Sequence, residues 1–303
     1  MIKDLDLIRE VQKANYRALQ KLDEICKKYH IQYWIAYGSL IGTIRHKGFV
    51  PWDDDLDVCM MREDYEKLCK VPKEEWGEDC LFLSGYDDDL RQDKVFGRIF
   101  QKNTVVQSRI DVERWKNPTT GKAFSSSMMC DIFIFERVPD DEKKRKKIYN
   151  KVLYGYCRKY KLVKYEYVKK ADSPVGKLKV LLQRAYGKWM RLIFKKPWVR
   201  FVKKFDKLAK NCQQGKRIGT FSCADPYTYN YDDVFPLIEK PFEDMMVPVP
   251  RCYEQMLTDM YGDYMKFPPE DQRYHLDFVY VDFGDGRKYV FDPIKGSIGE
   301  GNE

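Results

Sequence analysis

The segment Asp53-Asp54-Asp55-Leu56-Asp57-Val58-Cys59-Met60 constrains this 303-residue chain more than any other. Its carboxylates alternate with apolar side chains. In an extended strand, residues two apart share a face, so Asp55 and Asp57 project together while Leu56 and Val58 point into a core. Asp53 shares their parity at the loop edge. Carboxylates held side by side repel unless a cation neutralises them. Hard oxygen donors at this spacing suit Mg²⁺ or Mn²⁺, ions that also hold nucleotide phosphates. A solvated acidic turn is the alternative.

What precedes the run sharpens it. Residues 31–37 are rich in β-branched and aromatic types and predict a strand. Gly38-Ser39 breaks it, and residues 40–45 predict a short helix. Glycine lets backbone approach a ligand closely, and a serine hydroxyl with free amides at a helix start can receive phosphate. A simple N-cap is the alternative for Ser39. A strand, Gly-Ser and helix, followed 16 positions after Ser39 by an acidic strand, is the outline of a nucleotidyltransferase-type active site. Such a site expects a third acid from a neighbouring strand. Asp131 is a lone charge in Met129-Cys130-Asp131-Ile132-Phe133-Ile134-Phe135. Buried unpaired it would be costly, so it needs a metal or a basic partner; a strand-start Asp facing water is the alternative.

The rest of the chain frames this unit. Residues 5–29 have helical apolar spacing, 55–60 predict the acidic strand, and 63–70 a helix. Strands are predicted at 80–84, 94–101 and 129–136. Residues 140 to about 215 are lysine-rich and helical, without strand signal, and the proline-bearing remainder is irregular. The expected fold is α/β (α+β): a nucleotidyltransferase-like mixed-sheet core in residues 1–139, a basic helical insertion in 140–217, and a C-terminal region, 218–303, packing back on the core.

The formal net charge of +8 hides a partition. Residues 141–217 hold 26 Lys and Arg against five acids, a net of +21, which leaves −13 for the remainder. Such asymmetry points to a polyanionic partner or an anionic membrane surface. Within the segment, Leu178, Leu181, Leu182, Ala185, Trp189, Leu192 and Ile193 share a helical face flanked by basic side chains. This fits either an interfacial helix or one packing its stripe on its own domain. No nucleic-acid motif is present and the acidic remainder would repel a duplex, so no nucleic acid is expected. Acids at the start argue against a secretory signal, and no apolar run reaches the ~20 residues of a membrane span. Nine scattered Cys without C-x-x-C spacing suggest reduced thiols and a cytoplasmic protein, with possible peripheral contact at an anionic membrane.

The run from Tyr37-Gly38-Ser39-Leu40-Ile41-Gly42 through Arg45-His46-Lys47-Gly48-Phe49-Val50-Pro51-Trp52 to Asp57 closely resembles the signature of the LicD family. These are phosphocholine transferases with a nucleotidyltransferase-like fold, related to fukutin-type ribitol-phosphate transferases. A second resemblance lies in Phe242-Glu243-Asp244, Val247-Pro248-Val249-Pro250, Tyr261-Gly262-Asp263-Tyr264-Met265 and Pro268-Pro269-Glu270. The resemblance implies divalent-metal catalysis with Asp55 and Asp57 as ligands and Asp131 as the third acid. It also implies a CDP-linked donor, typically CDP-choline, and an acceptor hydroxyl on a cell-surface glycan or its lipid-linked precursor. One departure is visible: the family's D-I-F-P-L-D pattern reads Asp131-Ile132-Phe133-Ile134-Phe135-Glu136 here.

On this reading donor phosphate lies across Gly38-Ser39, with Arg45, His46, Lys47 and Arg98 as further phosphate contacts. Asp131 serves as general base or metal ligand. Arg98 has an exposed strand arginine as its alternative, and His46 a hydrogen-bonding loop residue. His275 is a packing residue or a catalytic one, and Asp263 follows a helix-ending glycine turn. Two other functions compete: transfer of the nucleotidyl group itself to a protein, RNA or small molecule, and a non-catalytic membrane-associated scaffold.

Overall fold

The computed structural model describes residues 4–300 except 90, 110, 111, 113, 114, 117–124, 165, 168–172, 213, 214, 224, 226, 271, 272, 274–277 and 293–296. Its centre is an open mixed sheet whose strands, in chain order, are β1 (Trp34–Ile35), β2 (Asp57–Met61), β3 (Cys80–Leu83), β4 (Gly97–Gln101), β5 (Met129–Val138), β6 (Arg217–Thr220) and β7 (Tyr229–Asn230). The order β1-β2-β5-β4-β3 has one parallel pair, β2 with β5. The outer half of β5 pairs instead with β6, and β6 with β7. Strand β5 is apolar almost throughout because it is central: Ile132, Ile134 and Phe135 are buried. The α+β class expected from the sequence is the one observed.

The N-terminal helix (Asp4–Tyr29) repeats buried residues at helical spacing, with Ala18, Leu22 and Ile25 facing the central sheet. Its earlier turns turn Leu7, Val11 and Ala14 toward a second sheet formed by Val105–Ser108, Phe278–Asp282, Lys288–Asp292 and Ser297–Glu300. This sheet, and the hairpin Ile238–Phe242 with Met245–Val249, correct the expectation of an irregular C-terminal region. Prolines obscured the hairpin. Pro241 and Pro248 sit in a two-stranded ribbon, where each strand has an open edge that needs no donor.

Two other expectations shift near the site. The first strand shortens from 31–37 to Trp34–Ile35, because a helix (Tyr37–Ile41) begins with Tyr37 and includes Gly38-Ser39. A π-helical turn (Gly42–His46) continues it. Gly42 is needed there, since a Cβ would lie 2.4 Å from the Gly48 carbonyl oxygen. The acidic strand begins at Asp57 rather than Asp55, because its ladder with β5 starts at the Asp57–Asp131 pair.

The basic segment is helical as expected, apart from a two-residue ladder between Trp115–Lys116 and Glu166–Tyr167. Tyr160, Val163, Met190, Phe201 and Phe205 from its helices enter the same core cluster as the central sheet. A buried ion-pair group ties it down. Arg62 donates through Nε to Glu136 at 2.9 Å and through Nη1 to Asp206 at 2.8 Å. Glu136, the departure from the family pattern, is thus a buried partner of Arg62. Among the described residues no helix is long and apolar enough to cross a membrane.

Candidate active site

Asp57 is fixed by its backbone on three sides. Its amide donates to Ser39 Oγ at 2.9 Å, its carbonyl accepts the Ala36 amide at 3.0 Å, and the preceding Leu56 carbonyl accepts the Asp131 amide at 2.9 Å. Asp57 and Asp131 are therefore direct neighbours across two parallel strands, and Arg98 is the neighbour of Asp131 on the far side. The row Asp57-Asp131-Arg98 follows from register alone.

The loop before Asp57 is held by the N-terminal helix. Gln12 Nε2 donates to the carbonyls of Val50 and Asp53 at 2.9 and 2.7 Å, and Asn15 Nδ2 donates to that of Asp54 at 2.8 Å. From below, Glu243 accepts from Arg9 and from the Phe49 amide, and its own amide donates to the Lys47 carbonyl. Sequence reading missed these clamps. Two polar residues on the buried face of an otherwise apolar helix were the available signal.

Asp53, Asp55 and Asp57 line one cavity of about 660 Å³. Gly38 forms part of its floor, and a Cβ there would lie 2.6 Å from Asp53 Oδ2, so only glycine admits that carboxylate. The three carboxyls titrate above the usual carboxylate range, chiefly through burial; Asp55 and Asp57 also repel one another and Asp131. Burial, then the same carboxylates, pushes the Tyr261 hydroxyl up as well. Trp52, Tyr261, Tyr264 and Phe267 form an aromatic wall of the same cavity.

The donor set fits a hard divalent ion. Such an ion relieves carboxylates that raise one another, and Mg²⁺ commonly takes one or two protein carboxylates, with phosphate oxygens and water completing its shell. Among the described residues, no three His, Cys, Asp or Glu side chains converge as a ready-made metal cluster.

The remaining expected residues separate. Arg45 lines the cavity, donates to the carbonyls of Tyr264 and Lys266 at 2.7 and 3.2 Å, and lies on the Phe267 ring at 4.7 Å. His46 is edge-on to Trp52 and Phe267. Burial and the Arg45 charge lower its pKa, so the neutral ring accepts from Arg45 Nε at 2.9 Å. It positions Arg45 rather than phosphate. Lys47 has a left-handed backbone (φ 57), an exposed side chain, and no place in the cavity wall. Ser39 is buried, and its hydroxyl serves Asp57 instead of opening to a phosphate. Arg98 corrects the exposed-arginine alternative: it is buried, donating through Nε to Asp131 at 2.6 Å and through Nη1 to Asp93. Gly262 (φ 67) ends the helix Tyr253–Tyr261, and Asp263 lines the cavity. His275 lies outside the described residues.

Two features carried no sequence signal. Tyr37 takes a left-handed backbone (φ 50) and is pinned by its hydroxyl, which donates to Asp225 at 2.9 Å. Beyond Asp131 lies a second cavity of about 350 Å³, walled by Lys94 and Lys161.

A row of strand carboxylates beside a strand–helix turn defines a nucleotidyltransferase-type domain. The family model described as LicD/FKTN/FKRP, nucleotidyltransferase domain, matches residues 30–131. Over 281 residues, 90% of this chain and 98% of the relative, the sequence is 28% identical to the lipopolysaccharide cholinephosphotransferase LicD of Haemophilus influenzae. An uncharacterized protein of Rickettsia prowazekii is 45% identical over 56 residues, 18% of this chain and 21% of that one. Residues 30–131 thus match a LicD-type nucleotidyltransferase domain, and the chain is a LicD-like transferase.

Proposed function

We propose that the protein transfers phosphocholine from CDP-choline to a hydroxyl of a cell-surface glycan or its lipid-linked precursor, with lipopolysaccharide the first acceptor to test. One observation carries this reading: the Asp55–Asp57 pair and an aromatic wall share a single cavity, on a chain similar along most of its length to a cholinephosphotransferase. A trimethylammonium group is drawn to aromatic faces, and Trp52 and Tyr261 offer them beside carboxylates.

In the transfer, the acceptor oxygen bonds to the phosphocholine phosphorus as the bond to CMP breaks. The hydroxyl proton passes to a carboxylate, for which Asp131 is the candidate. Positioning and charge neutralisation carry most of such a reaction. Bound Mg²⁺ or Mn²⁺, held by Asp55 and Asp57 with Asp131 as third candidate ligand, would neutralise charge on the phosphates. Gly38 lets the donor approach the backbone, Arg45 offers its guanidinium at the rim, and Arg98 orients Asp131. The lysine-walled cavity beyond Asp131 suits the nucleotide end of the donor.

A thermal-shift screen with Mg²⁺ against CDP-choline, CDP-ribitol, CDP-glycerol, CTP and ATP tests the donor. The largest shift is expected with CDP-choline, and EDTA should abolish it. A larger shift with CTP or ATP would favour nucleotidyl transfer instead.

A further inference from the structure

The helix Pro174–Ile193 is mounted with its apolar side outward. Ser173 caps it, accepting the Gly176 amide at 3.1 Å, with Pro174 at the first helical position. Toward the protein it presents Gly187, Met190 and Arg191. A Cβ on Gly187 would lie 2.9 Å from the Leu162 carbonyl oxygen, and Arg191 donates to the Val163 carbonyl at 3.2 Å. Gly187 and Arg191 thus make the close contacts with the helix Arg158–Lys164, beside the buried Met190. On the other side Val175, Leu178, Leu181, Leu182, Trp189 and Leu192 are all more than half exposed, Leu192 by 86%. On a helical wheel they fall in one arc of roughly 120°.

A helix that merely completed its own domain would turn this arc inward. Exposed apolar area on such a scale marks an interaction surface. Charge identifies the occupant. Lys177 and Lys179 border the arc, Lys195 and Lys196 follow it, and the surrounding segment carries +21. Two copies meeting through this face would bring those charges together, whereas an anionic bilayer takes up both the apolar arc and the lysines.

We propose that Pro174–Ile193 is an interfacial helix that seats the enzyme on anionic lipid, with its leucine arc among the acyl chains and its lysines at the headgroups. The surface is separate from the catalytic cavity and stands whether or not choline is the group transferred.

Flotation of the full chain with phosphatidylglycerol-containing and pure phosphatidylcholine vesicles tests it. Binding should be at least about tenfold stronger to the anionic vesicles and fall with salt. The triple variant Leu178→Ser, Leu182→Ser, Leu192→Ser should lose binding with its melting temperature kept, since all three side chains are exposed. Lys177→Glu with Lys179→Glu should remove the anionic preference. Trp189 fluorescence should shift to the blue on vesicle binding, a change absent in Trp189→Phe. Equal recovery with both vesicle types would overturn the proposal, as would a dimer by light scattering that the triple variant abolishes without any vesicle binding.

Discussion

Asp57 and Asp131 face each other across the one parallel strand pair of the central sheet, and Arg98 faces Asp131 from the opposite side. Within the row itself Arg98 stands against two carboxylates, with Asp55 nearby, and it is shared with Asp93, which leaves the row short of positive charge. The site's chemistry follows from that shortage. Each substitution along the row tests a different part of it.

Asp55→Asn and Asp57→Asn should each reduce transfer below about 1% of the parent rate, because the phosphates lose their counter-charge. Neither should lower the melting temperature, since each removes a carboxylate that its neighbours repel. Transfer assays paired with circular-dichroism melts check both halves.

Arg98→Met removes the shared partner of Asp131 and Asp93, all three largely buried. Loss of one member of a buried ion pair costs about 3–5 kcal/mol, so the urea midpoint should fall markedly. A midpoint unchanged from the parent would mean that Arg98 does not hold Asp131 in place.

Gly38→Ala separates geometry from stability. The new methyl displaces the flexible Asp53 carboxylate rather than backbone, so stability should change by less than about 1 kcal/mol. Misplacing the acid and closing the approach to the turn should cost about 10²-fold in kcat/KM.

Glu136 gives a pH signature remote from the site. Burial holds its carboxyl up at about 7, against the pull of Arg62, from an ordinary value of 4.5. Between those values the folded protein keeps a proton that the unfolded chain releases. Stability from this group is therefore full below pH 4.5 and is lost as pH rises toward 7, by up to about 1.4 kcal/mol per pH unit. Urea titrations of the parent and Glu136→Gln at pH 5 and pH 8 should show the decline in the parent and its reduction in the variant.

The acid strand was legible because alternation reveals its face: Leu56 and Val58 are buried, and Asp55 and Asp57 share a cavity. Asp131 was legible as a lone charge in an apolar run, which had to find a partner. Which partner was not legible, since Arg98 meets it only through a β4–β5 register that local sequence does not encode. The same holds for Ser39, whose hydroxyl reads alike whether it faces phosphate or the Asp57 amide. Gln12 and Asn15 clamp a loop about 40 residues downstream. The basic helix was legible as amphipathic, but its outward orientation is a tertiary fact, set where Gly187 packs against the Leu162 carbonyl.

The central claim is transfer of a substituted phosphate by the Asp55–Asp57 site, and product analysis tests it most directly. Purified protein, CDP-choline, Mg²⁺ and a glycan acceptor should yield CMP and acceptor-linked phosphocholine in equal amounts, with neither formed in EDTA or by Asp57→Asn. Pyrophosphate release with a nucleotide left on the acceptor, or transfer undiminished in Asp57→Asn, would contradict it.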